Sequence, residues 1–494
     1  MSGPAPATAR ALAALGIRRL ATDSRLVRRG DTFLAYPGER LDGRRFIGQA
    51  IAGGAASVVW DARDFRWNPR WRVPNVAVAS LRRHAGEIAG RVYGQPSRSL
   101  WMVGITGTNG KTSCSQWVAQ ALTHLGRNCA VVGTLGYGMP GRLRPTPNTT
   151  PDAVWLQRTL AGLARRDCAA VSMEVSSIGL AQDRTSGIEF DVAMLTNLTR
   201  DHLDYHGTFR RYKAAKARLF AQPGVKHAVL NADDAFGAEL AGRVQRRDIN
   251  VIGYGFARRA RLPRGAARVA GRNLEVTARG LAFDVDTPWG RGRLESPLVG
   301  RFNASNLLGC LAVLLASDMR LEESLAALAR VVPPPGRLER LGGGGRPLVV
   351  IDYAHSPDAL ENALGALSEI VARGGVPARL TCVFGCGGER DRGKRPQMGA
   401  IAARLADRVI VTSDNPRGED PRRIAAEIAA GARSRCEIEL DRARAIRAAV
   451  ADAAQGDVIL VAGKGHETYQ EVAGRRLPFR DRTVAAAALA RWRP

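Results

Sequence analysis

One stretch narrows the possible folds of this chain more than any other: Gly104-Ile-Thr-Gly-Thr-Asn-Gly-Lys-Thr-Ser113. It closes an apolar run at 100–106 that reads as a strand, and it opens a helical pattern. Glycines in such a loop let backbone N–H groups approach phosphate oxygens, and the helix N-terminus adds a favourable dipole. Gly107, Thr108, Asn109, Gly110, Lys111, Thr112 and Ser113 are therefore the expected cradle for ATP. Lys111 would reach the β and γ phosphates, and the Thr112 hydroxyl would help hold magnesium. The common spacing puts glycine at position 105, where Ile105 stands, so ATP binding is read from the strand–loop–helix context.

The 494 residues suffice for three domains at ~100–200 residues each. Strand-like runs at 31–36 and 56–60, with a helix at 46–53 between them, make a small α/β segment ending at Tyr93-Gly-Gln-Pro-Ser97. Runs at 100–106, 129–133, 169–175, 192–198 and 227–231 then alternate with helical patterns, as βαβ units on a parallel sheet do. Residues 250–300 look like an antiparallel excursion. Pro333-Pro-Pro-Gly336 marks a second boundary, so the expected domains are 1–97, 98–332 and 333–494. In the last of these, apolar runs at 348–351, 380–384, 409–411 and 458–461 each end in a polar motif. Ligands of open α/β sheets gather at such strand ends. No window offers ~18 uninterrupted apolar residues, so no membrane insertion is expected. The N-terminus reads as a short amphipathic helix rather than a leader. Seven scattered cysteines fit a reducing cytoplasm better than a disulfide framework.

A net charge of +27 invites anionic partners. Yet only six of the 73 basic residues are lysine, and arginine is spread along the chain without a basic tail. That is a bias of composition, and no nucleic-acid partner is expected from it. The bias makes Lys111, Lys213, Lys216, Lys226, Lys394 and Lys464 informative. Where a generic cation suffices this chain uses arginine, so a retained lysine marks a compact ammonium or a reactive primary amine. Lys213 and Lys226 read as the exceptions, retained by chance, and Lys213 as a solvated helical lysine.

Gly107-Thr-Asn-Gly-Lys-Thr112 resembles the variant phosphate loop of the Mur ligase and folylpolyglutamate synthetase superfamily. Further matches follow in that family's order: Asn148-Thr-Thr150, Met173-Glu-Val-Ser-Ser177, Thr196-Asn-Leu198, Asp201-His-Leu-Asp-Tyr-His-Gly207 and Gly300-Arg-Phe-Asn-Ala-Ser-Asn306. Then come Gly336-Arg-Leu-Glu339, Asp352-Tyr-Ala-His355, Gly385-Cys-Gly-Gly388, Asp414-Asn-Pro-Arg417 and Gly463-Lys-Gly-His-Glu467. On these motifs, which run nearly the whole length, the chain is identified as a member of the Mur ligases. The resemblance implies a three-domain α/β architecture, with a central P-loop ATPase domain on a parallel sheet and a Rossmann-like C-terminal domain. It implies a cytoplasmic, monomeric ATP-dependent ligase of peptidoglycan synthesis, adding meso-diaminopimelate to UDP-N-acetylmuramoyl-L-alanyl-D-glutamate through an acyl phosphate. A carboxylate is a poor electrophile, and phosphorylating it concentrates charge between two anions, which demands magnesium and fixed cations.

The same resemblance implies roles for residues. Glu174 and His202 would join Thr112 as metal ligands. Lys216 resembles the family's carbamylated lysine: carbon dioxide on a neutral amine gives an anion that would hold a second magnesium or orient the phosphate, where an ammonium would repel metal. Asn303, Arg337 and Asp352 match nucleotide contacts. Thr22 and Ser24, with residues 38–43, match the UDP site; Asn148, Thr149, Thr150, Ser176, Gln182 and Arg184 match the muramoyl-dipeptide site. Glu39-Arg-Leu41 and Ile178 depart from the family's pattern. Arg390, Asp414, Asn415, Pro416, Arg417, Gly463 and Glu467 match the amino-acid site. The Arg417 fork would pair the second carboxylate of diaminopimelate, and lysine would leave it buried without a partner. His355 and His466 read as loop braces rather than proton donors. Three alternatives stand beside this reading. An L-lysine-adding ligase differs at 414–417, and a folylpolyglutamate synthetase lacks the Ser24 site. A nucleic-acid-dependent P-loop ATPase is suggested by charge alone.

Overall fold

The computed structural model describes residues 6–39, 41–258, 262–277, 280–373, 378–433 and 435–493. Arg40, in the expected UDP stretch, lies outside the described residues. The chain packs as two compact units: Met1–Thr106, Gly126–Met194 and Ala214–Ala228 in the first, Gly107–Leu125, Leu195–Lys213 and Val229–Pro494 in the second.

The first unit carries a parallel sheet of Leu20–Ala21, Thr32–Ala35, Ser57–Asp61 and Asn75–Val78, ordered as in the chain. Alternate residues divide between its faces. Leu34, Val59 and Val78 pack with helix Leu81–Val92, while Phe33, Ala35 and Val58 pack with helix Ile47–Ala52. The latter is shorter than the expected 46–53 and is preceded by a 3₁₀ turn, Gly43–Phe46, where Asp42 accepts from the Arg44 N–H. Further strands lie in the order Val192–Leu195, Trp101–Thr106, Ala170–Glu174, Cys129–Gly133, Gly136–Gly138. The middle three are parallel and almost wholly buried, as a sheet covered on both faces requires. The strand expected over 192–198 stops at Leu195, because Thr196 and Asn197 turn their hydrogen bonds to the phosphate loop instead.

In the second unit, helix Lys111–His124 packs against helix Arg301–Ala316, both largely buried. The antiparallel excursion is there: Ala267–Thr277, Gly280–Thr287 and Gly290–Ser296 form a meander, with Asn250–Gly255 parallel to its first strand. A six-stranded sheet follows, ordered Glu339–Gly342, Leu348–Asp352, Val458–Ala462, Leu380–Phe384, Arg408–Val411, Glu437–Ile438. All neighbours are parallel except the first pair. One row of side chains, including Val350, Cys382, Phe384, Val411 and Leu460, buries against helices Pro357–Arg373, Lys394–Leu405 and Pro421–Gly431. The alternate row, including Val349, Ile351, Val383, Ile410 and Val461, buries against helices Arg442–Ala451 and Asp481–Arg491. This doubly wound layout brings the polar strand-end motifs to one edge. Among the described residues no helix is long and apolar enough to cross a membrane.

Candidate functional site

The phosphate loop is pinned from behind. Thr196 Oγ1 donates to the Asn109 carbonyl at 2.6 Å, and the Asn109 N–H donates to Asn197 Oδ1 at 2.9 Å. Gly110, at φ +84°, packs so closely on Asn306 that a Cβ would lie 2.6 Å from its Oδ1. Lys111 Nζ folds back to donate to the carbonyls of Gly107 and Thr108, at 2.9 and 2.8 Å. Beside the loop lies a cavity of about 230 Å³ whose lining includes Asn109, Gly110, Ser113, Asn303, Arg337 and Asp352. Three residues expected to contact the nucleotide, far apart in sequence from the loop, thus line the same cavity as it. Arg337 stacks on Tyr353 at 4.8 Å and donates from Nη2 to Thr112 Oγ1 at 3.1 Å, but its buried Nε finds no hydrogen-bond partner among the described residues. A buried donor left unpaired beside a phosphate loop fits a nucleotide, whose oxygens would supply the acceptor.

Burial raises the Asp352 carboxyl although Arg337 and the Leu338 N–H pull it down. His355 and His466 are pushed down to about 4, chiefly by burial and then by Lys394 and Arg337 respectively, so both are neutral near pH 7. Burial alone would raise Asp201, but His202, His355 and Lys394 hold it down to about 2. The His202 side chain is 40% exposed, with Nε2 3.5 Å from Asp201 Oδ2. Asp358, which accepts from Asn109 Nδ2 at 2.6 Å, escaped the sequence reading because it belongs to no glycine-flanked motif.

At the carboxyl edge of the six-stranded sheet the residues expected to hold the amino acid converge. Asn415 donates to Glu467 Oε2 at 2.8 Å, and its own Oδ1 accepts from Lys464 Nζ and the Glu471 N–H. Asp414 is buried, which raises its carboxyl against the pull of Arg442 and Lys464. The Gly463 N–H donates to the Asp352 carbonyl at 3.1 Å, and Pro416 is buried between its neighbours. Arg390 is exposed; a Cβ on Gly387 would sit 3.7 Å from its Cγ and 2.9 Å from Arg417 Nη1, so the two arginines flank one glycine. Arg417 corrects the sequence expectation. It is neither fully buried nor lacking partners, since Nη1 donates to the Gly388 carbonyl at 2.7 Å and Nε lies 3.9 Å from Glu471 Oε2. The hairpin Tyr469–Val472 and Arg475–Pro478 carries Glu471 there, a partner with no sequence signal.

The first unit assembles a network of its own residues. The Glu174 carboxylate, at a strand end, accepts from the Thr134 N–H at 2.8 Å and hydroxyl at 3.0 Å, and that hydroxyl also meets Thr149 Oγ1 at 3.0 Å. Thr150 Oγ1 donates to the Glu174 carbonyl and accepts from the Ser176 N–H, both at 2.9 Å. Arg184 donates to the Thr150 carbonyl at 2.7 Å and to Gln182 Oε1 at 2.6 and 2.9 Å. Thr149, Thr150, Ser176, Gln182 and Arg184 are therefore joined with Glu174, while Asn148 stands exposed beside them in the chain. Thr134 was missed for want of any motif. Lys216 lies in the last turn of the helix Phe209–Ala217 and is 1% exposed. Lys213 is not solvated alone but bonded to Glu239. Ser24 Oγ donates to Gln49 Oε1 at 2.9 Å in a turn capped by Asp23, and Thr22 is half-buried.

Comparisons agree with this geometry. Residues 16–93 match the model of the Mur ligase family catalytic domain, 105–314 the Mur ligase middle domain, and 336–465 the Mur ligase glutamate ligase domain. The UDP-N-acetylmuramoyl-L-alanyl-D-glutamate–2,6-diaminopimelate ligase of Nitrosomonas europaea is 50% identical over 488 residues, 96% of this chain and 93% of that protein. The ligase of the same name from Chromobacterium violaceum is 52% identical over 480 residues, 97% and 95% of the two. A solved structure of a ligase with that name is 35% identical, with a TM-score of 0.68, over 96% of this chain and 95% of that one. The chain belongs to the Mur ligase family.

Proposed function

We propose that this protein is an ATP-dependent, ADP-forming ligase that joins meso-diaminopimelate to UDP-N-acetylmuramoyl-L-alanyl-D-glutamate in peptidoglycan precursor synthesis. The observation that carries the reading is the match, along nearly the whole chain, to two relatives named for that reaction. The γ-carboxylate of the glutamyl residue takes the γ-phosphoryl group of ATP, and the amine of diaminopimelate displaces phosphate to form the amide. Lys111 leaves the loop carbonyls to neutralise the β and γ phosphates, and Arg337 turns its unpaired donor to the nucleotide. Thr150, Ser176, Gln182 and Arg184 hold the dipeptide, and Ser24 its uridine diphosphate. Arg390 and Arg417 grip carboxylates of the incoming amino acid, and Glu467 accepts its ammonium. Magnesium, when bound, would screen the phosphoryl oxygens; the Thr112 hydroxyl of the second unit and the Glu174 carboxylate of the first are each hard oxygen donors of the kind it prefers, and His202 is a nitrogen donor. The buried amine of Lys216, in a chain that otherwise uses arginine, is the group to carry carbon dioxide.

In this reading residues 1–97 bind the UDP-sugar, 98–332 bind ATP and 333–494 bind the amino acid, in a cytoplasmic monomer. The test is phosphate release from ATP with the UDP-linked dipeptide, offering diaminopimelate, lysine and glutamate in turn, with polynucleotide as a separate arm. Release with diaminopimelate alone is expected. Release driven by lysine equally well, or by polynucleotide without the dipeptide, would defeat the reading.

A further inference from the structure

Lys464 is one of six lysines in a strongly arginine-rich chain, and it is 0% exposed. It follows the strand Val458–Ala462 by two residues. Its ammonium donates to Asn415 Oδ1 at 3.0 Å and to Glu467 Oε2 at 2.8 Å, and sits 5.6 Å from the centre of the Tyr469 ring. Asn415 Nδ2 donates to the same Glu467 Oε2 at 2.8 Å, and the Glu471 N–H donates to Asn415 Oδ1 at 2.9 Å. One point charge therefore ties together two side chains from loops that follow different strands. A guanidinium is larger and planar, and a fully enclosed pocket bracketed by two single oxygens takes an ammonium instead.

We propose that Lys464 is the positioning residue of the amino-acid site, holding Glu467 by Oε2 so that Oε1 is left for the ammonium of the incoming amino acid. This rests on the functional reading above. Lys464 touches no reacting atom; it acts through Glu467 and Asn415. Burial pushes the Glu467 carboxyl up, but the charge and hydrogen bond of Lys464, the Asn415 amide and His466 outweigh it, so the carboxyl lies below its ordinary value. The other groups that feel Glu467 are Asp414, Arg442 and Tyr353, and none of them changes in the variants below. Removing Lys464 takes away the main downward pull, so Glu467 protonates at higher pH and the site loses its anion there.

The test is steady-state phosphate release by the full chain, with ATP and the UDP-linked dipeptide saturating and diaminopimelate varied, from about pH 5 to 9. Lys464→Met is expected to raise the KM for diaminopimelate on the order of 10–100-fold and to leave the KM for ATP within about twofold. The acid limb of kcat/KM for the amino acid moves to higher pH, and Lys464→Arg does not restore the parent values. If Lys464→Met alone fails to fold, Lys464→Met/Glu467→Gln leaves neither charge buried unpaired, and it should match Glu467→Gln alone in KM for diaminopimelate. An unchanged KM, an equal loss against ATP and diaminopimelate with no shift of the acid limb, or a double variant clearly worse than Glu467→Gln overturns the proposal. Should the unaltered protein release phosphate with no amino acid at all, the functional reading falls and this one with it. Normal turnover by the parent with an indifferent Lys464→Met removes this one alone.

Discussion

The pocket proposed for the nucleotide and the corner proposed for the amino acid lie in the same compact unit but are built on different plans. The pocket is made mostly of backbone: a contiguous loop, glycines that no side chain could replace, and Thr196 and Asn197 holding main-chain atoms from behind. The corner is made of side chains from separate loops, with Asp414, Asn415, Lys464 and Glu467 compensating one another's charge and hydrogen bonding in the interior. The first plan depends on the path of the chain and on Lys111 and Arg337 set beside it. The second depends on charge balance, so a single neutral substitution leaves another group buried and unpaired.

If the pocket has one indispensable side chain, it is Lys111. Lys111→Ala should lower kcat by about 10³-fold, because the fixed charge on the transferred phosphoryl group is gone while the loop amides remain. Phosphate release under saturating substrates measures it. A loss under tenfold would mean that the loop alone carries the charge, and the contrast between the two plans would sharpen further. Lys216→Arg comes next. It preserves a cation but cannot form a carbamate, so kcat should fall at least about 100-fold while ATP affinity, read by calorimetry, stays within about twofold. Near-normal turnover by this variant removes the carbamate from the proposal.

The two plans also explain what was legible in the sequence. A backbone site announces itself through contiguous glycines, which is why Gly107–Ser113 and the strand before it could be read directly, and why Asn303, Arg337 and Asp352 could be placed only through the family resemblance. Strands such as Cys129–Gly133 and Leu380–Phe384 fell where their apolar runs put them, since both sheet faces are buried. Local runs could not show where polar residues abandon a strand for a loop, as Thr196 and Asn197 do. Nor could they show pairings set by tertiary packing. Thr134 beneath Glu174, Asp358 against Asn109 and Glu471 beside Arg417 are each an ordinary residue in sequence and a partner only in space.

Arg417 is the test of how the corner chooses its substrate. Arg417→Ala should lower kcat/KM for diaminopimelate by about 10–100-fold, the worth of a charge-assisted pair, and affect any residual lysine use far less. The preference narrows. Equal losses for both amino acids would mean that Arg417 holds the carboxylate they share, and selection would pass to Arg390 or elsewhere.

Glu471 should have the smallest effect and the most informative sign. Its carboxylate lies 3.9 Å from Arg417 Nε, with the two side chains 25% and 21% exposed. A pair this accessible contributes only about 0.2–1 kcal/mol, so Glu471 does not neutralise Arg417 so much as compete weakly for it. Glu471→Gln keeps the main-chain bonds that the hairpin makes to Arg417 and Asn415, because those use backbone atoms. It removes only the competing anion. The KM for diaminopimelate should therefore fall by about two- to fivefold while that for lysine, which brings no second carboxylate, stays put. Discrimination would widen through loss of an acidic residue, the reverse of what truncating Arg417 does. A rise in the KM for diaminopimelate would show instead that Glu471 orients the Arg417 fork, and that the hairpin belongs to the grip on the substrate.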